Sequence, residues 1–238
     1  MTSKISVCMA TYNGEKYIRA QVDSILKQLS PQDELIVSDD HSTDKTIEIV
    51  NNIQDKRIVI IYNKLEKGYS GNFENAIINA TGDIIFLSDQ DDVWLDDKVN
   101  EMTHRMNDAQ MVVCNAQFVD KDLNPMDGTY FGLRGGKQGL IYNLYKSRYL
   151  GSCMAFRREL LVKLLPFPSR RDLCPHDLWI TLIAEMYFKV KIINKSLMLY
   201  RRHDNNVSSG GNLSKNNIYQ KIFFRGYSLS MALSRLAV

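Results

Sequence analysis

Short apolar runs alternate with helical patterns through the first half of the chain, and this alternation most constrains the fold. The runs are rich in Ile and Val and mostly apolar throughout, which is typical of strands covered on both faces. The predicted strands are Lys4–Ala10, Glu34–Ser38, Arg57–Tyr62, Asp83–Ser88 and Met111–Ala116. Helices are predicted in three segments, "GEKYIRAQVDSILKQL", "DKTIEIVNNI" and "LDDKVNEMTHRM", where apolar residues recur at three-to-four spacing or good capping residues precede the segment. The pattern therefore predicts an α/β fold with a mainly parallel central sheet flanked by helices.

The second half of the chain is less regular. Residues 121–150, rich in Gly and Tyr, predict a long loop or an insertion. A strand-like "GSCMAFR" follows, then a helix that opens on His176–Asp177, and two further strand candidates, "KVKIIN" and "LMLYRR". The tail after Asn216 predicts an amphipathic helix. Its apolar face would hold Ile218, Ile222, Leu229, Leu233 and Leu236.

Length and composition indicate one large domain, or one with a small appendage. The chain has 238 residues, of which 45% are hydrophobic and 24% charged. No run approaches the roughly 20 apolar residues of a membrane span, and the N-terminus enters a strand at once, so we expect no signal peptide. The four cysteines are scattered without metal-ligand spacing. They predict reduced, structural thiols and a cytoplasmic protein.

Charge is unevenly distributed along the chain, although the net charge is only +3. Residues 1–120 hold 11 Lys and Arg against 20 Asp and Glu, net −9, and residues 121–238 hold 19 against 7, net +12. The asymmetry indicates a cation for the acidic half, and phosphates or an anionic membrane surface for the basic half. Uneven solvation of the surface is the alternative.

Polar clusters follow three of the predicted strands: "TYNG" after the first, "DDHSTD" after the second and "DQDD" after the fourth. The carboxyl ends of parallel strands meet at one edge of a sheet, where ligands bind. Asp89 and Asp91 could both reach one Mg²⁺ or Mn²⁺ ion. Alternatively, Asp92 and its neighbours cap a helix that begins near Leu95.

Three further clusters have both a chemical and a structural interpretation. Asp40 could read a base or a ribose, or belong to a turn and helix cap. Asp177 could be a general base or an ordinary cap at a helix start. "YRRH" could supply His203 as a third metal ligand, or form a solvated basic edge. Dinucleotide and P-loop glycine motifs do not follow the first strand.

Taken in order, these motifs resemble the family 2 glycosyltransferases with the GT-A fold. The resemblance runs from Ile5 to about Ser208 and looks most like bacterial rhamnosyltransferase-like enzymes of polysaccharide biosynthesis. It is carried by "TYNG", "DDHSTD", "DQDD", "GSCMAFRRE", "HD" and "YRRH". Three positions depart from the family pattern: His41 replaces a glycine, His176 a glutamate, and Phe73-Glu74 an Arg-Asn pair. The phosphate or sugar contact of that pair would be missing, or supplied by Asn72 or Lys67.

The resemblance implies roles for individual residues. Nucleotide-binding residues would be Thr11, Tyr12, Asn13, Asp40, Asn72 and Asp89. A Mn²⁺ or Mg²⁺ ion would be held by Asp91, Asp89 and His203. Asp177 would be the general base of an inverting transfer. Residues 1–120 would form the nucleotide-sugar-binding half and residues 121–210 the acceptor-binding half of one domain, 1–210, followed by the helix of residues 211–238.

The function implied is a metal-dependent transfer of a hexosyl or rhamnosyl unit from a UDP- or dTDP-sugar to a saccharide hydroxyl, in bacterial surface polysaccharide biosynthesis. The acceptor could be lipid-linked, with peripheral contact of residues 215–238 at the inner face of the cell membrane. No nucleic acid partner is expected. Two alternatives stay open: a metal-dependent nucleotidyltransferase, and a nucleotide-sugar sensor or scaffold without turnover.

Overall fold

The computed structural model describes residues 3–203 and 217–237, which form a nine-stranded mixed sheet with nine helices. The strands are β1 Ile5–Thr11, β2 Glu34–Asp39, β3 Ile58–Tyr62, β4 Ile84–Asp89, β5 Val93–Trp94, β6 Met111–Val119, β7 Pro125–Thr129, β8 Met154–Arg157 and β9 Val190–Arg201. The helices are α1 Ile18–Leu26, α2 Thr46–Asn51, α3 Tyr69–Asn79, α4 Lys98–Arg105, α5 Tyr130–Arg134, α6 Leu140–Tyr145, α7 Leu161–Leu164, α8 His176–Tyr187 and α9 Ile218–Leu233.

The strand order is β3-β2-β1-β4-β8-β6-β9-β5, with β7 paired to β6. Strands β3, β2, β1 and β4 run parallel, β8 is antiparallel to β4 and β6, and β9 is parallel to β6. The predicted α/β class and mainly parallel sheet are thus confirmed. The side chains of β1, β2 and β4 are mostly buried along the whole strand, as expected for strands covered on both faces.

Strand β9 joins the two segments that were predicted as separate strands. Its pairing with β6 shifts register between Cys114, opposite Ile193, and Asn115, opposite Ser196. The Asn115 side chain bridges the irregularity by donating from Nδ2 to the Asn194 carbonyl at 3.2 Å. A bulge of this kind bends a strand without ending it, so β9 remains one strand between β6 and the edge strand β5.

Residues 121–150 were predicted as a long loop or an insertion, and the first alternative is wrong. They hold β7, α5 and α6. The hydroxyl of Thr129 caps α5 by accepting from the Gly132 N–H at 3.1 Å, and Asn115 Oδ1 accepts from the Phe131 N–H at 2.9 Å. Helix α3 was also missed, because its sequence "YSGNFENAIIN" is poor in strong helix formers.

The predicted C-terminal helix is present as α9, which begins with a capping box between Asn217 and Gln220. Its predicted apolar face does not form the packing surface: Ile218, Ile222, Leu233 and Leu236 are all exposed. The helix instead packs against α8, with Ser228 and Ala232 buried. Within the described ranges, no helix combines the length and the apolar character that crossing a bilayer requires.

Candidate active site

The candidate site lies at the carboxyl ends of β1, β2 and β4, where the predicted polar clusters meet. Thr11 Oγ1 donates to Asp39 Oδ1 at 3.1 Å. Asn13 has a left-handed backbone (φ +48°), which asparagine tolerates better than most residues. Its N–H donates to Ser42 Oγ at 2.9 Å, and its Oδ1 accepts from the Thr43 N–H at 2.8 Å. The loops after β1 and β2 therefore hold each other in place.

Gln90 joins the first loop to the acidic cluster. The Tyr12 N–H donates to Gln90 Oε1 at 2.9 Å, and Gln90 Nε2 donates back to the Tyr12 carbonyl at 2.9 Å. A Cβ atom on Gly14 would lie 2.3 Å from Gln90 Oε1, so a side chain there would displace the amide group of Gln90. The Tyr12 ring is exposed and is available to contact a flat ligand.

Asp40, predicted to read the nucleotide base, is buried and orders the segment between β3 and α3. Its Oδ1 accepts from Asn63 Nδ2 at 2.8 Å and its Oδ2 from the Gly68 N–H at 2.7 Å. Each carboxylate oxygen keeps a further lone pair for a ligand. The neighbouring His41 has φ +63°, and its Nε2 lies 3.2 Å from the Asn63 carbonyl oxygen. His41 is thus part of the turn after β2.

Asn72, on α3, is almost completely buried beside the first loop. Its Nδ2 donates to the Thr11 carbonyl at 3.0 Å, whereas its Oδ1 has no hydrogen-bond partner within residues 3–203 and 217–237. A buried amide oxygen without a partner is costly in a finished structure. Lys67, the alternative to Asn72 in the sequence, is exposed.

Burial and neighbouring carboxylates raise the pKa values of two acids at the end of β4, Asp89 and Asp92. Burial raises the pKa of Asp89 to about 7, and the charge of Asp91 adds to the rise. Burial, followed by the charges of Asp91 and Asp89, raises the pKa of Asp92 well above its ordinary value. Asp92 Oδ1 accepts from the Arg201 N–H at 3.1 Å. Asp92 therefore belongs to the buried cluster, and its interpretation as a helix cap is wrong.

Helix α4 begins at Lys98, three residues after the predicted start near Leu95. Lys98 is completely buried, which is rare for a lysine. Its Nζ donates to the Ser152 carbonyl at 2.8 Å and lies 4.3 Å from the centre of the Trp94 ring. Its positive charge partly offsets the rise in the pKa values of Asp89 and Asp92.

The end of β9 brings basic side chains to the same cluster. Arg201 is buried, so it is not a solvated edge, and its Nε donates to the Asp91 carbonyl at 2.7 Å. His203 Nε2 lies 2.9 Å from Asp91 Oδ2. The Tyr17 ring contacts both: the Arg201 guanidinium lies 4.6 Å from its centre, and His203 stacks on it at 4.8 Å between ring centres. Tyr17 was not singled out in the sequence, where only its position just before α1 marks it.

This donor set is compatible with a divalent cation. Asp91 and His203 bring a carboxylate and an imidazole together, and both are ligands that Mn²⁺ accepts. Nowhere in the described part of the chain do three or more His, Cys, Asp or Glu side chains form a group that could hold a metal ion. Ions held by one or two protein side chains commonly take further ligands from substrate phosphates. The raised pKa values of Asp89 and Asp92 indicate that negative charge is crowded beside the pair, which a bound cation would relieve.

Asp177 stands in the first turn of α8, as predicted, where the helix dipole favours a carboxylate. It is half-buried, and its Oδ1 accepts from the Leu178 N–H at 2.7 Å. Its negative charge contributes, after burial, to the raised pKa values of Asp89 and of Tyr69. The predicted base and the predicted metal-binding acids are therefore within electrostatic reach of each other.

His176, which departs from the family pattern, packs rather than reacts. Its backbone N–H donates to Ser70 Oγ at 3.1 Å, and its ring stacks on Phe73 at 4.4 Å between centres. A Cβ atom on Gly151 would lie 2.6 Å from its Nε2. Burial lowers the pKa of His176, so the neutral imidazole is favoured in the folded protein.

Glu74, the other departure, forms a buried ion pair that the sequence did not reveal. Its Oε2 lies 2.5 Å from Arg171 Nη2, and its Oε1 accepts from the Phe167 N–H at 2.7 Å. Arg171 Nη1 also lies 3.2 Å from Glu66 Oε2. The pair ties α3 to the segment that leads into α8 and Asp177.

The fold and the cluster of acids at its strand ends define the class of protein, and comparison with known families gives the same result. Residues 6–165 match the family model for glycosyl transferase family 2. The chain belongs to glycosyl transferase family 2, as the sequence motifs predicted. In structure it is similar to TarS of S. aureus in complex with UDP-GlcNAc, with a TM-score of 0.71 and 18% identity, covering 95% of this chain and 66% of that one. This likeness confirms the GT-A fold.

Two curated relatives illustrate the range of activities in similar chains. The UDP-Glc:alpha-D-GlcNAc-diphosphoundecaprenol beta-1,3-glucosyltransferase WfaP of Escherichia coli is 35% identical over 119 residues, which cover 50% of this chain and 47% of WfaP. The dTDP-rhamnosyl transferase RfbG of Shigella flexneri is 29% identical over 238 residues, which cover 90% of this chain and 78% of RfbG. The match thus spans about half of WfaP's length.

Proposed function

We propose that this chain transfers a hexosyl or rhamnosyl unit from a UDP- or dTDP-sugar to a hydroxyl of a saccharide acceptor, with inversion at the anomeric carbon. The observation that carries the proposal is the distance of 2.9 Å between Asp91 Oδ2 and His203 Nε2. The two residues belong to an acidic cluster in which the charge of Asp177 contributes to the raised pKa of Asp89. The names of WfaP and RfbG, a UDP-glucose and a dTDP-rhamnose enzyme, support the two donor classes.

The donor's nucleotide would occupy the loops of residues 1–120. Thr11, Tyr12 and Asn13 would line its pocket, with the exposed Tyr12 ring offering a stacking surface. Asp40 would accept a hydrogen bond from the base, using carboxylate lone pairs that its hydrogen bonds with Asn63 and Gly68 leave unused. Asn72 Oδ1 is buried without a hydrogen-bond partner among the described residues. It would accept a hydrogen bond from the bound nucleotide sugar.

Asp91 and His203 would hold Mn²⁺ or Mg²⁺, with Asp89 directed to the metal or to the ribose. The cation, when bound, neutralises negative charge on the departing diphosphate. Arg201 fixes the position of Asp91 through its carbonyl, and Tyr17 holds Arg201 and His203 on one ring. The chain thus pre-positions the two proposed ligands, which follow β4 and β9 and lie 112 residues apart in the sequence. A solved neighbour in fold, a mannosyltransferase from Pyrobaculum calidifontis, was crystallised with GDP-Man and Mn²⁺.

Asp177 would act as general base on the acceptor side, formed by residues 121–210. Its carboxylate takes the proton of the acceptor hydroxyl while that oxygen bonds to the anomeric carbon, and the bond from this carbon to the diphosphate oxygen breaks on the opposite face. One displacement of this kind inverts the configuration. General-base assistance contributes about 10²–10⁴-fold to such rates.

The acceptor would be a lipid-linked saccharide of bacterial surface polysaccharide biosynthesis, used at the cytoplasmic face of the membrane. WfaP, by its name, acts on a diphosphoundecaprenol-linked sugar, and RfbG is a rhamnosyl transferase. The net charge of +12 over residues 121–238 is suited to the phosphates of such an acceptor.

A donor screen tests the proposal. UDP-, dTDP- and GDP-sugars are incubated with the protein and Mn²⁺ or Mg²⁺, and release of the nucleoside diphosphate is measured. We expect one donor to turn over, EDTA to stop the release, and Asp91→Asn to abolish it. Asp96→Asn is the matched control, because Asp96 is an exposed acid five residues away, and it should behave like the wild type.

Other products would indicate another function. Release of pyrophosphate would identify a nucleotidyltransferase. Donor binding without turnover, unchanged by Asp177→Asn and by candidate acceptors, would identify a sensor or scaffold. Failure to bind any nucleotide sugar with either metal would contradict the transferase proposal.

A further inference from the structure

Two segments that pack on α8 combine basic and apolar side chains and contain no acidic residue. Residues 130–149 hold four basic residues and residues 217–238 hold three, and neither segment has an Asp or Glu. We call the surface formed by α6 with its flanks and by α9 the basic–aromatic face. Its basic residues are Arg134, Lys137, Lys146, Arg148, Lys221, Arg225 and Arg235.

Large apolar and aromatic side chains of this face project into solvent. On α6, Ile141 is 80% exposed and Tyr145 is 84% exposed. On α9, Tyr219 is 80%, Ile222 63% and Phe223 61% exposed. Isolated exposed apolar residues are ordinary, but a cluster among basic residues marks an interaction surface.

The two helices form one surface because α6 contacts α9 and both pack against α8. The buried positions of α9, Ser228 and Ala232, lie in its second half. All residues from 218 to 223 are exposed, so the first turns of α9 project from the body of the protein. The surface adjoins the helix whose first turn holds Asp177.

The positive charges of this face lie close to its aromatic rings and to one another. Lys137 Nζ lies 5.5 Å from the centre of the Tyr142 ring, and the Arg148 guanidinium lies 5.8 Å from it. Burial, followed by the charges of Arg134 and Arg148, lowers the pKa of Lys146. Cations are thus crowded without an acid in the same segments to balance them.

We propose that the basic–aromatic face docks on an anionic lipid surface. Aromatic and aliphatic side chains enter the boundary between headgroups and acyl chains, and Lys and Arg contact lipid phosphates. The charge pattern selects this partner, because the two segments carry seven basic residues and no acid. Glu185 of the underlying α8 accepts hydrogen bonds from Gly139, Asn143 and Tyr149, and the net positive charge that remains is complementary to anionic headgroups. The inference goes beyond the proposed function, since docking requires neither donor nor metal, and it would bring the proposed base to a lipid-linked acceptor.

Flotation with vesicles tests the docking. The full chain is mixed with vesicles of phosphatidylcholine alone, or with about one third phosphatidylglycerol. We expect binding to the anionic vesicles only, weakened by salt. The variant Lys137→Gln/Lys221→Gln should lose about fivefold in partition coefficient for each lysine. Lys64→Gln, an exposed lysine outside the face, is the matched control.

The apolar contribution is tested with Ile222→Ser/Phe223→Ser, which should reduce partitioning by about tenfold or more. The control is Ile78→Ser, a change at an exposed isoleucine of α3. Because none of these positions is among the proposed donor-binding, metal-binding or catalytic residues, donor hydrolysis should stay at the wild-type rate. A variant that loses vesicle binding but keeps donor hydrolysis therefore tests only the docking proposal. A wild-type protein that hydrolyses no donor contradicts only the proposed function.

Two results would overturn the inference. Equal binding to neutral and anionic vesicles, or to neither, would exclude an anionic lipid surface as the partner. A dimer in gel filtration that Ile222→Ser/Phe223→Ser dissociates, without any vesicle binding, would show that a second copy of the chain covers the face.

Discussion

Removing Arg171 should destabilise the protein strongly, because it leaves the carboxylate of Glu74 buried without its cation. Glu74 is 2% exposed, and its Oε2 lies 2.5 Å from Arg171 Nη2. In Arg171→Met, the hydrogen bond from the Phe167 N–H is the one that Glu74 keeps within the described part of the chain. Breaking one partner of a buried pair costs about 3–5 kcal/mol. We expect that loss in the free energy of unfolding.

A second substitution separates the cost of the unpaired Glu74 charge from the other effects of Arg171→Met. In Glu74→Gln/Arg171→Met, the amide oxygen can still accept from Phe167, and a neutral amide is cheaper to bury than a carboxylate. We therefore expect the double variant to recover about 1–2 kcal/mol relative to Arg171→Met. Urea unfolding followed by tryptophan fluorescence measures both, since Trp94 and Trp179 are buried.

The adjacent arginine is the control. Arg170 pairs with Asp172, and both side chains are about 60% exposed (60% and 62%). Ion pairs in solvent contribute little, so Arg170→Met should unfold at the same urea concentration as the wild type. The reasoning is refuted if Arg171→Met costs less than about 1 kcal/mol, or if adding Glu74→Gln destabilises it further.

Three other substitutions test the site. Gly14→Ala places a Cβ 2.3 Å from Gln90 Oε1, so the Gln90 side chain must move and its two hydrogen bonds with the Tyr12 backbone are lost. Donor hydrolysis should then fall by about tenfold or more, and an unchanged rate would contradict the steric argument. Burial holds the pKa of His176 below its usual value, so the folded state favours the neutral ring and stability is lost as pH falls below about 6.5. In His176→Gln the free energy of unfolding, measured from urea midpoints, should fall less steeply between pH 7.5 and 5.5, by at most about 1.4 kcal/mol per pH unit. If the wild type and the variant lose the same free energy over this range, the effect is excluded. Tyr17→Leu removes the ring on which His203 stacks, so the affinity for Mn²⁺ in the presence of UDP should fall about two- to tenfold. The electron paramagnetic resonance signal of free Mn²⁺ measures this binding, and a titration identical to that of the wild type would show that the ring does not position His203.

Much of the fold could be predicted because its first half relies on local pattern. Apolar runs located β1, β2, β3 and β4 to within two residues at each end. Helix α3 was missed because Gly, Ser and Asn weaken its propensity, and tertiary contacts of Phe73 and Ile77, both buried, outweigh it. The single strand β9 could not be predicted, since its continuity depends on a bulge opposite β6.

The site was predictable where strand ends carry acids, and not where a partner comes from a distant segment. Asp89, Asp91 and His203 were named from motifs, and the structure places Asp91 and His203 in contact. Lys98 was missed because nothing local distinguishes a buried lysine from a solvated one in the same helical pattern. Arg171 was missed because its partner, Glu74, is 97 residues away.

Strand β9 has a consequence for the order in which a newly made chain acquires its site. Strands β1 to β4 pair in parallel within the first 89 residues, and they can associate while later segments are still being synthesised. His203 follows β9, which pairs with β6 and β5. Contacts that close such long intervals form late. Asp91 therefore meets His203 only when the last strand inserts, and any chemistry that needs both residues is withheld from an incompletely folded molecule.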